Sequence, residues 1–251
     1  MPACYLNYLL MKKILLLFII IVVFSGGLTA QDSESISGEG KFFIGVKAGY
    51  SVVDFESILK SERDFAEMTF DNISYGIVFG YNITGKLGLQ IEGNYSKYGA
   101  NNIIETYIYS EQSPVLQTYG ESSEIDHVNM DLFYADVPLF FKYTFSEIGL
   151  SPYLYAGVNW GINILGNTTI VRKISEIEEI YRAYKDDITE RIMFNEFAPI
   201  AGAGARWNFG NLSIIGELRY KHGFQDLSNV DNGFGFTNKA LSVSVGLVYN
   251  L

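Results

Sequence analysis

Residues 132–145 read LFYADVPLFFKYTF, and the way this stretch divides decides the fold. One alternate set is Phe133, Ala135, Val137, Leu139, Phe141, Tyr143 and Phe145. The other is Tyr134, Asp136, Pro138, Phe140, Lys142 and Thr144. Successive side chains of a strand point to opposite faces, so a period-two split of this kind reads as a strand. A membrane-spanning helix would not hold two charges and a proline in so short a run. One face is free of charge and the other is not, so the two faces meet different surroundings.

Seven further segments alternate in the same way: 41–53, 73–83, 87–98, 151–162, 196–209, 211–224 and 239–251, with 130–145 as the eighth. In 87–98, Leu87, Leu89, Ile91, Gly93 and Tyr95 oppose Gly88, Gln90, Glu92, Asn94 and Ser96. In 211–224, Leu212, Ile214, Gly216, Leu218 and Tyr220 oppose Ser213, Ile215, Glu217, Arg219 and Lys221. The segments 151–162 and 196–209 divide less cleanly, because Tyr153, Tyr155 and the Ala-Gly repeats blur the faces. With 25 Gly, 18 Tyr and 18 Phe in 251 residues, composition points the same way, toward β-structure.

The connections between segments alternate short and long. TGK, SEIGL and GN are short, whereas 54–72, 99–129, 163–195 and 225–238 are long. In an up-and-down barrel this puts the long loops at one end and the short turns with both termini at the other, the asymmetry of outer-membrane barrels. Loops this long fit poorly into a compact soluble domain. Within 163–195, Ile174, Ile177, Tyr181, Tyr184 and Ile188 recur at helical spacing. That spacing fits a short amphipathic helix over the barrel mouth as well as it fits a solvated loop.

The charges choose between a soluble barrel and a membrane barrel. Eight strands leave an interior just wide enough for side chains. A soluble barrel would have to fill that interior with the apolar sets and wear its charges outside. Instead Glu92, Lys142, Glu217 and Arg219 fall mid-strand on the polar sets, and the opposite sets carry almost no ionised group. Charges enclosed in a narrow lumen have to pair with one another. The reading is an all-β, eight-stranded antiparallel transmembrane barrel whose lumen holds a network of Glu92, Asp136, Lys142, Arg206, Glu217 and Arg219. Outer-membrane lipid then meets the apolar faces. Tyr50, Tyr81, Tyr95, Tyr143, Phe145, Trp207, Phe209, Tyr220 and Tyr249 lie near segment ends, where aromatic girdles form. Pro138 lacks an N–H in a sheet that has no edge, which predicts a bulge or local break there.

The N-terminus reads as an address. From Met11, two lysines precede an apolar run that ends in small residues at Ala30, the order of a secretory signal peptide. The expected organisation is leader and signal peptide over 1–30, a linker over 31–40 and the barrel over 41–251. The single cysteine, Cys4, falls in the leader, so the exported chain would lack disulfides and thiolate chemistry. Removing the leader leaves 16 basic and 28 acidic residues, a balance that argues against a nucleic-acid partner.

With the strands placed, LQIEGNYSKYGA (89–100), YADVPLFFKYTF (134–145), PYLYAGVNWG (152–161), GELRYKHGFQDL (216–227) and LSVSVGLVYNL (241–251) resemble the PorT-like outer-membrane β-barrel family of Gram-negative bacteria. The resemblance runs from about residue 41 to the end. It implies an eight-stranded outer-membrane barrel, usually without an assigned activity; one founding member is linked to protein secretion. Many outer-membrane barrels end in Phe, where this chain has Leu251. An apolar residue closing the alternation would still serve recognition of the C-terminal strand by the barrel assembly machinery.

An enzyme acting on lipid A needs a nucleophile, a base and an orienting acid. Of the two histidines, His127 neighbours Ser122, Ser123, Glu124 and Asp126, and His222 neighbours Lys221. The His127 grouping is crowded in sequence rather than assembled from separate strands. The acidic run Glu176, Glu178, Glu179, Asp186 and Asp187 matches no calcium-loop spacing. GAGARWNFG (202–210) lacks the third glycine and the helix of a nucleotide loop. The sequence therefore leads to a non-enzymatic envelope component without cofactor or metal. It would work through its loops with other envelope proteins, or serve protein secretion or assembly. A lipid A-modifying enzyme and a narrow solute pore are the alternatives.

Overall fold

A computed structural model describes residues 42–57, 69–100, 124–146, 149–175, 180–229 and 236–251. The proposed leader, the linker and parts of all four long loops lie outside these. Nine strands are present among the described residues: β1 (Phe42–Ser57), β2 (Thr69–Asn82), β3 (Leu87–Ala100), β4 (Glu124–Thr144), β5 (Leu150–Ser175), β6 (Ile180–Asp187), β7 (Asn195–Phe209), β8 (Leu212–His222) and β9 (Phe236–Asn250).

Eight of them close a barrel. Every neighbouring pair is antiparallel, β1 pairs with both β2 and β9, and the β4–β5 ladder shuts the sheet on itself. Closure removes the edges that would otherwise leave backbone groups unpaired in lipid. The short links are 83–86, 145–149 and 210–211, all at the end where β1 begins and β9 stops. Gly149 and Gly210 take positive φ (66° and 63°), which glycine adopts without strain in these tight turns. In the first of these turns, 83–86, Thr84 Oγ1 accepts hydrogen bonds from the N–H groups of Lys86 and Leu87.

The two faces are inverted relative to a soluble protein. Phe141 is 65% exposed, and Val46, Tyr75, Val158 and Val245 are also exposed on the outer wall. Lys47, Glu92, Asp136, Lys142 and Glu217 are buried inside it. In β4 the two sets separate as the alternation predicts, with Tyr134, Asp136, Pro138, Phe140 and Lys142 buried in the lumen. The nine expected girdle aromatics all lie on the outer wall, and only Tyr81 is half-covered. Trp160 and Phe197 stack on the same wall with ring centroids 6.2 Å apart.

Pro138 breaks the ladder without shifting it. Between β3 and β4 the partners pass from Ile91↔Leu139 to Asn94↔Asp136 in unchanged register, and the pairs opposite Glu92 and Gly93 are missing. The register shifts of β4 lie elsewhere, at Ile125/His127 and Phe133/Tyr134 against β5.

The helix considered for 163–195 is not what forms. Among the described residues of this stretch, β5 runs on to Ser175, β6 returns alongside it, and a single 3-10 turn, Thr189–Arg191, follows. The β-branched and aromatic residues there pair with the overhang of β5 rather than coil, because an extended neighbour already offers a ladder. The hairpin is anchored by Ile188, fully buried with Met130, Leu132 and Ile192. Ile188 N–H donates to Gly166 O at 2.9 Å. Thr189 donates to Asp187 Oδ1 from its hydroxyl (2.6 Å) and its N–H (2.9 Å), which holds the Asp187 carboxyl below its usual range.

Candidate functional site: the charged lumen

The lumen is crossed by one ionic cluster. Arg219 on β8 faces Glu92 on β3, four strands away around the barrel in either direction. Its Nη1 donates to Glu92 Oε2 at 2.9 Å and its Nη2 to Oε1 at 2.8 Å, a bidentate fork. Lys47 Nζ from β1 bridges the same carboxylate (2.7 Å) and Glu217 (3.0 Å). Arg219 Nη2 also reaches Glu217 Oε2 at 3.3 Å. Two cations and two carboxylates thus meet at mid-lumen, with Glu92 and Glu217 only 1% and 0% exposed.

Uncharged groups complete the layer. Gln90 and Asn94 donate to Glu92 from the same face of β3. Tyr153 OH donates to Glu217 Oε1 at 2.9 Å, and Tyr155 OH to Leu218 O at 3.2 Å. Both tyrosines reach across because Gly202 and Gly204 stand beneath them. A Cβ at Gly202 would lie 2.5 Å from the Tyr155 hydroxyl, and one at Gly204 2.5 Å from Tyr153 Cζ. The Ala-Gly repeat that blurs the faces in sequence is the cradle for these rings.

Toward the long-loop end a second pair forms. Lys221 Nζ donates to Glu196 Oε2 at 2.7 Å and lies 4.1 Å from the Tyr98 ring centroid. Asp136 stands nearby, accepting from Tyr98 OH (2.7 Å) and Asn159 Nδ2 (2.7 Å).

Of the six residues the sequence nominates, all point inward, but only Glu92, Glu217 and Arg219 join one another. Asp136 is held by neutral donors. Lys142 donates to Gln90 Oε1 at 3.2 Å and lies against the Phe43 and Tyr153 rings. Arg206 lies against Phe43, with Nε and Nη2 unpartnered. Lys47, which holds the cluster together, was missed, as were Glu196 and its partner Lys221. Lys47 had a signal: it stands between Gly45 and Gly49 at period two. His127 lies on β4 opposite Val171, and its side chain is outside the described set. His222 Nδ1 is 3.1 Å from the Tyr220 hydroxyl.

An enclosed polar layer like this can block a channel, fix the barrel's register and hold its walls together. Among the described residues it presents no nucleophile–base pair.

Comparison with known proteins agrees with this architecture. Residues 29–229 match the family model described as outer membrane protein beta-barrel domain. Among solved structures, the chain is similar to Ail, the attachment invasion locus protein of Yersinia pestis. Identity there is 14% and the TM-score 0.39, over 85% of this chain and 99% of that one. Neisserial surface protein A (13%, TM-score 0.44, 84% and 97%) and OprG from Pseudomonas aeruginosa (11%, TM-score 0.46, 86% and 97%) are similar to a like degree. No curated protein matches the chain. The family match spans most of the chain, and its strands close the barrel that the family name describes: the protein belongs to the outer membrane protein β-barrel domain family of the bacterial outer membrane.

Proposed function

We propose that the protein is a non-enzymatic, non-conducting barrel that serves the cell envelope as a structural or interaction component. Its lumen is a plug of paired charges, and its contacts with other envelope proteins are made by the long-loop end. The observation that carries this reading is the Arg219–Glu92 fork, which spans the lumen and is locked by Lys47 and Glu217. A pore would need that cross-section open. The signal peptide is removed after Ala30, both termini face the periplasm, and the C-terminal strand is the segment read by the assembly machinery. The resemblance of residues 89–100, 134–145, 152–161, 216–227 and 241–251 to the PorT-like family adds protein secretion or assembly as the process in which it takes part.

Planar-bilayer recording tests the plug. The purified, folded barrel is expected to give no resolved single-channel steps, while replacing both Lys47 and Arg219 with alanine opens conductance. Stable steps from the unaltered protein would contradict the reading and favour a solute pore.

A further inference from the structure

The ion pairs leave the lumen unbalanced at its short-turn end. Glu92 and Glu217 answer Lys47 and Arg219, and Glu196 answers Lys221. Among the described residues, no carboxylate bridges Lys142 or Arg206. Yet both crowd one ring: Lys142 Nζ is 4.6 Å and Arg206 Cζ 4.7 Å from the Phe43 centroid. Ser151 stands directly opposite Arg206 in the β5–β7 ladder, on the lumen face. It is 2% exposed and its Oγ has no partner. Cross-strand partners keep their Cβ atoms about 5 Å apart, so this hydroxyl and the guanidinium share one region.

Two enclosed cations that no carboxylate contacts directly repel each other and have lost their hydration. Ring contacts recover only part of that. The unpartnered atoms of Arg206 are also a particular pair. Nε and Nη2 form the parallel N–H edge with which a guanidinium grips two oxygens of one anion. Arg219 spends its own fork on Glu92, whereas the fork of Arg206 is free.

We propose that the short-turn end of the lumen is a binding site for one small inorganic oxyanion of the phosphate type. The Nε/Nη2 edge of Arg206 donates to two of its oxygens, and Ser151 Oγ and Lys142 Nζ donate to the others. The ion enters through the short-turn mouth and neutralises the excess positive charge. The site goes beyond the plug reading, since it requires only that the lumen admit an ion from one end.

The test uses the folded barrel in a phosphate-free, non-ionic detergent, so that no lipid headgroup is present. Inorganic phosphate is titrated by calorimetry and by line broadening of its ³¹P resonance. One phosphate per barrel is expected. Binding should weaken at least about tenfold in Lys142→Met, which loses one charge-assisted hydrogen bond, and further in Arg206→Gln, which loses the two-bond fork. Ser151→Ala, which removes a single oxygen, should weaken it measurably without touching the charges. Lys97→Met, on the far part of β3, should leave it unchanged. Folding of each variant is read from the gel mobility of unheated sample. No binding to the folded wild type at millimolar phosphate overturns the proposal. So does an equal loss in Lys97→Met, which would mean diffuse attraction rather than a site. Conductance measurements on the same wild-type sample test the plug separately.

Discussion

Arg219 on β8 and Glu92 on β3 meet across the full width of the barrel through two hydrogen bonds of 2.9 and 2.8 Å. The pair ties together walls that share no backbone ladder, so its loss should be felt by the whole barrel. In Arg219→Gln, Glu92 keeps Lys47 but loses its fork, and Glu217 loses its second cation. Removing one partner of an enclosed pair typically costs about 3–5 kcal/mol. Denaturant unfolding in micelles, followed by tryptophan fluorescence, should show a loss of that size, and a change within error would remove the cluster's structural role.

The glycine cradle can be tested by filling it. Gly204→Val would drive a side chain into Tyr153 and displace its hydroxyl from Glu217. Overpacking of this kind costs about 1–3 kcal/mol. Gly216 has nothing within 4 Å of its would-be Cβ, so Gly216→Ala should stay within about 0.5 kcal/mol of wild type. The contrast between the two midpoints is the readout.

The outer wall should reject charge where the lumen accepts it. Val158 is exposed midway along the barrel part of β5. Arginine there, facing the hydrocarbon, is expected to destabilise the barrel by about 2–4 kcal/mol. Unfolding in lipid vesicles measures this. A neutral substitution would mean that the wall faces water.

The β5–β6 hairpin should open without the barrel. Ile188→Asp puts a charge into the cluster of Met130, Leu132 and Ile192. Amide exchange should accelerate across Ile180–Asp187 while β1, β8 and β9 remain protected, since overhanging elements open locally at lower free energy than the closed sheet.

Much of the barrel was legible because period two sorts side chains unambiguously. Asp136 and Lys142 already declared the wet face of β4, and the short–long alternation of links declared the two ends. What alternation cannot convey is who meets whom across the lumen. Arg219 lies 127 positions from Glu92, and their meeting depends on closure and register, which no local pattern encodes. Alternation therefore assigns Asp136 and Lys142 to the lumen face, but not their partners, which are Tyr98 and Asn159 for Asp136 and Gln90 for Lys142. The strands also run further than their clean alternation: β5 extends to Ser175, past the point where lipid imposes a period. Beyond it, the spacing of Tyr181, Tyr184 and Ile188 mimics a helix, and an available strand edge decides otherwise for Tyr181 and Tyr184.

The inverted barrel itself can be tested with probes the chain already carries. Its two tryptophans, Trp160 on β5 and Trp207 on β7, are both exposed on the outer wall, 42% and 54%. In vesicles of lipid brominated on the acyl chains, both should be strongly quenched, Trp160→Phe and Trp207→Phe assigning the two signals, while aqueous acrylamide quenches neither efficiently. Efficient quenching by acrylamide, with no response to brominated lipid, would contradict a lipid-facing wall and the charged lumen with it.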